Sequence, residues 1–203
     1  MSGRPSRLRA LQRLCTALGL LCLAWYGVVE GQSIHYQQRE SAGLQRALVS
    51  HTTEHPTIER PRRAVRPSAT RSDHQLIGRL EIPRLNISVM VVDGDDLATL
   101  KRAAGHLPDT PLPWEFGNSA VAAHRDSFFR RLEDIKLSDR LTLTTPHGTF
   151  RYAVAKLRVV DPDDLSALAQ TGRSSLTLVT CYPFRYVGPA PKRFVVRADH
   201  TPT

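Results

Sequence analysis

Apolar and polar positions divide the chain into three textures. Residues 14–29, LCTALGLLCLAWYGVV, are sixteen positions without a charge. Residues 37–75 are polar and carry Pro56, Pro61 and Pro67 among Arg60, Arg62, Arg63 and Arg66. From residue 76 onward, short apolar runs alternate with turn residues, the pattern of strands. LIGRLEIPRL (76–85) and NISVMVVDG (86–94) predict two strands, the first interrupted at Pro83. DDLATLKRAAG (95–105) predicts a short helix capped by Asp95. GHLPDTPLPWEFGN (105–118) reads as a proline-rich loop and SAVAAH (119–124) as a short buried strand. SFFRRLEDIK (127–136) has room for a helical turn or two, and residues 140–160 form a hairpin turning at Pro146-His147-Gly148. DPDDLSALA (161–169) is a capped helix, followed by strands over 175–180 and 193–198. About seven short strands with a few short helices predict a mainly β fold, a closed or nearly closed barrel.

The apolar run changes the picture at the N-terminus. Arg4, Arg7, Arg9 and Arg13 precede it and Glu30 follows. A membrane-crossing helix needs about 20 apolar residues; Leu11 and Gln12 before the run and the uncharged residues 31–36 after Glu30 extend it, and the span is read as residues 14–36. Trp25 and Tyr26 stand near one end, as interfacial rings do. No small-residue cleavage site of the A-x-A kind follows, so the run reads as an uncleaved signal anchor rather than a signal peptide. Four arginines upstream place residues 1–13 in the cytoplasm and the remainder outside it. Residues 37–75 then form a stalk, with a helical stretch over 40–55 and a proline-stiffened continuation. Residues 76–203 form the extracytoplasmic domain.

Charge agrees with this division. The net charge is +9, but residues 1–75 hold 11 of the 28 Lys and Arg against 5 of the 19 Asp and Glu. The basic character belongs mostly to the N-terminal third, which argues against a nucleic-acid-binding face on the domain. Of the three cysteines, only Cys181 lies in the domain, so no disulfide forms within it. His51 and His55 in HTTEH lack the H-E-x-x-H order of a zinc helix and read as part of the stalk. No carboxylate cluster has metal-ligand spacing, and no cofactor motif is present.

Three residues at strand margins remain as candidate chemistry: His124, Cys181 and Arg193. Each has a structural reading: packing for the thiol, a backbone hydrogen bond for the imidazole, an edge charge for the guanidinium. They also suit acyl transfer together. A cysteine attacks as its thiolate, a histidine moves the proton, and an arginine stabilises the oxyanion. A barrel can bring such strand ends to one rim.

TLVTCYPF (177–184) resembles the TLxTC signature of the sortases, membrane-anchored cysteine transpeptidases of bacteria, and its Tyr-Pro is similar to the class D subgroup. AAHRDSFFRRLEDIKLSD (122–139) resembles the family's histidine segment, with His124 at the catalytic position. APKRFVVRA (190–198) resembles its arginine strand, with Arg193 at the catalytic position, and GRLEIPRLNISVMVVDG (78–94) its opening strands. The resemblance implies a sortase-type β-barrel of about eight strands. It also implies cleavage of an LPxTG-like C-terminal sorting signal on a secreted protein, a Cys181 thioester, and transfer to an amine of a cell-wall precursor or another protein. Thr180 would support the substrate strand. The implied location is the bacterial plasma membrane, single-pass. A membrane-tethered cysteine protease using the same site, and a non-catalytic binding barrel with an inert Cys181, are the alternatives. LPDTP (107–111) looks like a sorting signal itself, but with no apolar tail after it reads as a loop. His147, in the predicted turn, and His106, in the predicted loop and without a match to the family's histidine segment, are the alternative proton carriers, and the resemblance favours His124.

Overall fold

The computed structural model describes residues 4–51 and 75–201 apart from Thr171, with side chains in the first segment given for residues 9, 11–26 and 35–45. The stalk over 52–74, including His55 and the three prolines, lies outside the described residues. The chain divides into two units, one ending at Tyr36 and one beginning at Gln37. The first consists of the N-terminal part of α1, Arg4–His51. Its leucines from Leu11 to Leu23, with Trp25 and Tyr26, are exposed. Among the described residues no helix is long and apolar enough to cross a membrane. In the second unit, Leu44 of α1 is buried. The Gln37 side chain accepts from the Met90 N–H at 2.8 Å and donates to the Arg102 carbonyl at 2.6 Å.

Eight strands follow: β1 Leu76–Ile82, β2 Ile87–Asp93, β3 Ala104–His106, β4 Asn118–Ala122, β5 Arg140–Thr145, β6 Gly148–Val160, β7 Ser175–Tyr182 and β8 Lys192–His200. They close in the order β1-β2-β3-β4-β7-β8-β6-β5. Closure removes the unpaired edges that an open sheet would expose. The β2–β3 and β4–β7 pairs are parallel and the others antiparallel. Period-two burial drives the fold: Leu80 and Ile82, Leu141 and Leu143, Leu176 and Leu178, and Val196 and Ala198 all belong to one core cluster. At Gly78, a Cβ would collide with the Thr144 carbonyl oxygen, so β1 and β5 can approach only with glycine there.

Several elements differ from the sequence reading. β3 lies where only a helix end and a loop were expected, and His106 is therefore a buried strand residue rather than a loop residue. The helix over 95–105 is one turn, α2 Leu97–Leu100, and Asp96 rather than Asp95 caps it by accepting from the Ala98 and Thr99 N–H groups. The expected helices over 127–136 and 161–169 are 3-10 turns at Arg130–Asp134 and Leu165–Leu168.

Two polar clusters hold the connections. Asn118, fully buried at the start of β4, accepts from Ser175 Oγ and Thr177 Oγ1 of β7 and donates to the Leu168 carbonyl. This network fixes the parallel β4–β7 register. On another side, Asp139 accepts from Arg84 and from the Lys136 N–H. The Arg84 hydrogen bonds hold the Asp139 carboxyl below the usual carboxylate range, against the opposing effect of burial. Its contribution to stability is therefore complete above the unfolded value near pH 4 and fades as pH falls through the lower folded value. Asp139→Ala is expected to lower the unfolding free energy at pH 7 by about 2 kcal/mol. Denaturant titrations at pH 7 and pH 3 check this: the gap between wild type and variant should shrink at pH 3, and an equal gap at both would refute it.

Candidate active site

The β4–β7–β8 portion of the barrel brings the three candidate residues together. Cys181 and Arg193 are direct partners in the antiparallel β7–β8 ladder. Residues opposite each other in such a ladder project from the same face. The parallel β4–β7 register ends at Ala122 against Val179. Two residues further along each strand stand His124 and Cys181. Cys181 on β7 and Arg193 on β8 thus neighbour His124, which lies two residues beyond the end of β4, with the cysteine in the middle. All three are half-buried and line one cleft of about 440 Å³.

Strand alternation decides which β7 residues face this cleft. Leu176 and Leu178 point into the barrel core, so Thr177, Val179 and Cys181 point outward. The ladder partners of Val179 and Cys181, Val195 and Arg193, complete the floor, and Arg197, the partner of Thr177, lies beyond it. Arg197 donates to the carbonyls of Ala167 and Ala169 and so ties the β6–β7 connection over this face. That connection supplies one wall, with Pro162, Leu165 and Leu168. Leu97 and Leu100 of α2, with Leu107, supply the other. Volume and apolar lining suit an extended peptide with small-to-medium side chains.

Thr180, expected beside the substrate, is among the residues that line the cleft, although its side chain shares the inward parity of Leu178 and is 3% exposed. Its hydroxyl donates to the Ala123 carbonyl at 2.7 Å, and the Ala123 N–H donates to the Val179 carbonyl at 3.2 Å. Thr180 therefore anchors the residue before His124 to the strand that carries Cys181. Arg193 Nη1 donates to the carbonyls of Lys192 and Ala190, at 3.1 and 3.4 Å. The Tyr182–Pro183 bond is cis, and Tyr182, Phe184 and Phe194 form an aromatic cluster with centroid separations of 5.3 to 6.3 Å at the base of the β7–β8 loop.

His106 and His147 stand apart from this cleft. His106 contacts the Pro111 carbonyl and Thr110 Oγ1, and His147 packs on Trp114 with ring centroids 4.0 Å apart. The cleft walls were missed in the sequence. Leu97 and Leu165 are each 72% exposed and sit in single-turn segments, too short for helical spacing to show which face lines a cleft. Their one sequence signal was a leucine directly after a pair of aspartates, Asp95-Asp96 and Asp163-Asp164.

The sortase family model, described as the Sortase domain, matches residues 80–201. The chain belongs to the sortase family. Sortase D of Bacillus subtilis (strain 168) is 41% identical over 123 residues, covering 60% of this chain and 62% of that protein. The chain thus spans under two thirds of that relative's length. Among solved structures, a Clostridium perfringens Sortase D5 transpeptidase is 26% identical, with TM-score 0.57, covering 63% of this chain and 79% of the other. A lid mutant of Sortase A from Corynebacterium diphtheriae is 29% identical, with TM-score 0.60, covering 66% and 74%. The likeness to Sortase D agrees with the class D character of the Cys-Tyr-Pro segment in this sortase.

Proposed function

We propose that this sortase is a membrane-anchored cysteine transpeptidase acting outside the cytoplasm. The observation that carries the reading is the Cys181–Arg193 ladder pair sharing one cleft with His124. A secreted protein presents an LPxTG-like C-terminal sorting signal along the apolar cleft. The Cys181 thiolate attacks the carbonyl carbon after the threonine, and the developing oxyanion is stabilised by Arg193. The peptide C–N bond breaks as His124 gives a proton to the leaving amine. A thioester remains on Cys181. An incoming amine, from a cell-wall precursor or another protein, loses its proton to His124 and attacks the thioester. The new amide forms and Cys181 departs as thiolate, so thiol, imidazole and charge return to their starting state. Thr180 supports this by holding the approach to His124.

Residues 14–36 anchor the enzyme in the bacterial plasma membrane, with residues 1–13 in the cytoplasm. The support is the charge-free run after four arginines and the exposed leucines of α1. The side chains of residues 27–34 lie outside the described set.

One experiment tests both parts. Right-side-out membrane vesicles carrying the full chain are given Leu-Pro-Xaa-Thr-Gly peptides and triglycine on the outer face. Amide product is expected, detected by mass spectrometry. Hydrolysed peptide alone, at every triglycine concentration, would make the enzyme a protease. Product formed only after the vesicles are opened would reverse the topology.

A further inference from the structure

Arg125 directly follows His124, and its guanidinium turns to the loop that joins Cys181 to Arg193. Its Nη2 donates to the carbonyls of Tyr186 and Gly188 at 2.8 and 2.9 Å. The guanidinium carbon lies 5.8 Å from the centroid of the Tyr186 ring. Nη1 is buried and meets no acceptor among the described residues. No carboxylate among the described residues forms an ion pair with it. Among the described residues, its recorded partners are two backbone carbonyls and a ring face. A guanidinium kept only for stability would be better served by an acceptor for every buried donor, and the buried Nη1 here has none among the described residues.

What this arrangement does achieve is a connection. The loop over 183–191 runs from the end of β7 to the start of β8. Its base is held by the aromatic cluster, Arg193 holds Ala190, and exposed Arg185 pairs with Glu133 at 3.3 Å. Arg125 is the tie that comes from the chain segment carrying His124. On the other side of His124, the Ala123 carbonyl is held by Thr180. The histidine therefore sits between two tethers, one to the residue before Cys181 and one to the loop after it.

We infer that Arg125 is a positioning residue: by clamping the β7–β8 loop it fixes the separation of the His124 imidazole from the Cys181 sulfur. The inference rests on the transpeptidase reading for its catalytic part and on geometry for the clamp. Displacement of a reacting group by about 1 Å costs on the order of 10²-fold in rate.

The test uses the full chain in detergent, as wild type, Arg125→Ala and Arg125→Lys. Arg185 is a trypsin site within the clamped loop, and cleavage there requires the loop to open. Scission after Arg185, followed by mass spectrometry, is expected to be about tenfold faster in Arg125→Ala, with Arg125→Lys between it and wild type. With peptide and triglycine, kcat is expected to fall about tenfold or more while KM moves little. Unchanged scission in both variants would overturn the clamp, whatever the activity. Faster scission with unchanged kcat would overturn the positioning role and leave a structural tie. If wild type makes no amide product, the transpeptidase reading fails and with it the catalytic part, while the scission rates still decide the clamp.

Discussion

Cys181→Ala is expected to abolish amide formation, a fall of at least about 10³-fold, while leaving the barrel folded. The size follows from the chemistry. Without the sulfur there is no acyl-enzyme, and the amide must be attacked directly by an incoming amine. Retention of the fold follows from the position. Cys181 is half-buried at the end of β7, beyond the inward-facing Leu176 and Leu178, and the Thr180 hydrogen bond to Ala123 does not involve it. Removing one sulfur from an open cleft leaves no closed cavity, so the melting temperature should move by no more than a few degrees. Two measurements check this together. Wild type given peptide without amine should show a mass increment equal to the acyl fragment, and the variant none. A variant that keeps product formation within tenfold of wild type would remove the thioester from the mechanism. An inert, unlabelled Cys181 in active wild type would do the same.

How much of this was legible in the sequence depends on the range of the determining contacts. β1, β5, β7 and β8 declare themselves because one face of each packs on the core and apolar residues recur at alternate positions, such as Leu80 and Ile82 or Val196 and Ala198. Cys181 and Arg193 could be read as strand margins for the same reason. β3 could not. Its three residues, Ala104, Gly105 and His106, are too few for a period, and they are strand only because β2 and β4 offer pairing on both sides. With β3 unseen, His106 looked like a loop residue. The cap of α2 was misplaced by one residue because Asp95 and Asp96 are equivalent in sequence, and only backbone direction selects Asp96. The β4–β7 register, which sets His124 level with Cys181, depends on buried Asn118 accepting from Ser175 and Thr177. Those partners lie 57 and 59 positions away, beyond any local pattern. The direction of Arg125 was illegible for a related reason, since its acceptors belong to a loop more than 60 residues distant.

Arg193 carries the second large effect. Arg193→Ala is expected to lower kcat by about 10² to 10³-fold, the usual cost of losing an oxyanion donor. Arg193→Lys is expected to remain close to that level, although it keeps the charge. The reason lies in how the guanidinium is shared. Nη1 already donates to the Lys192 and Ala190 carbonyls, which holds the side chain across the start of β8. Nε and Nη2 retain donors for the substrate carbonyl, in a planar fork with fixed geometry. A lysine has one nitrogen, so it must either hold the loop or reach the oxyanion. The ladder pairing sets Arg193 beside Cys181 without help from loop movement, and so, on the proposed mechanism, beside the attacked carbon. An interaction formed only as negative charge develops should lower kcat and kcat/KM together, with KM little changed. Steady-state kinetics with the peptide and triglycine pair read this directly. A raised KM at unchanged kcat would make Arg193 a ground-state binder of the peptide backbone. Near-full kcat in Arg193→Lys would show that charge alone is sufficient, and the shared-fork argument would fall.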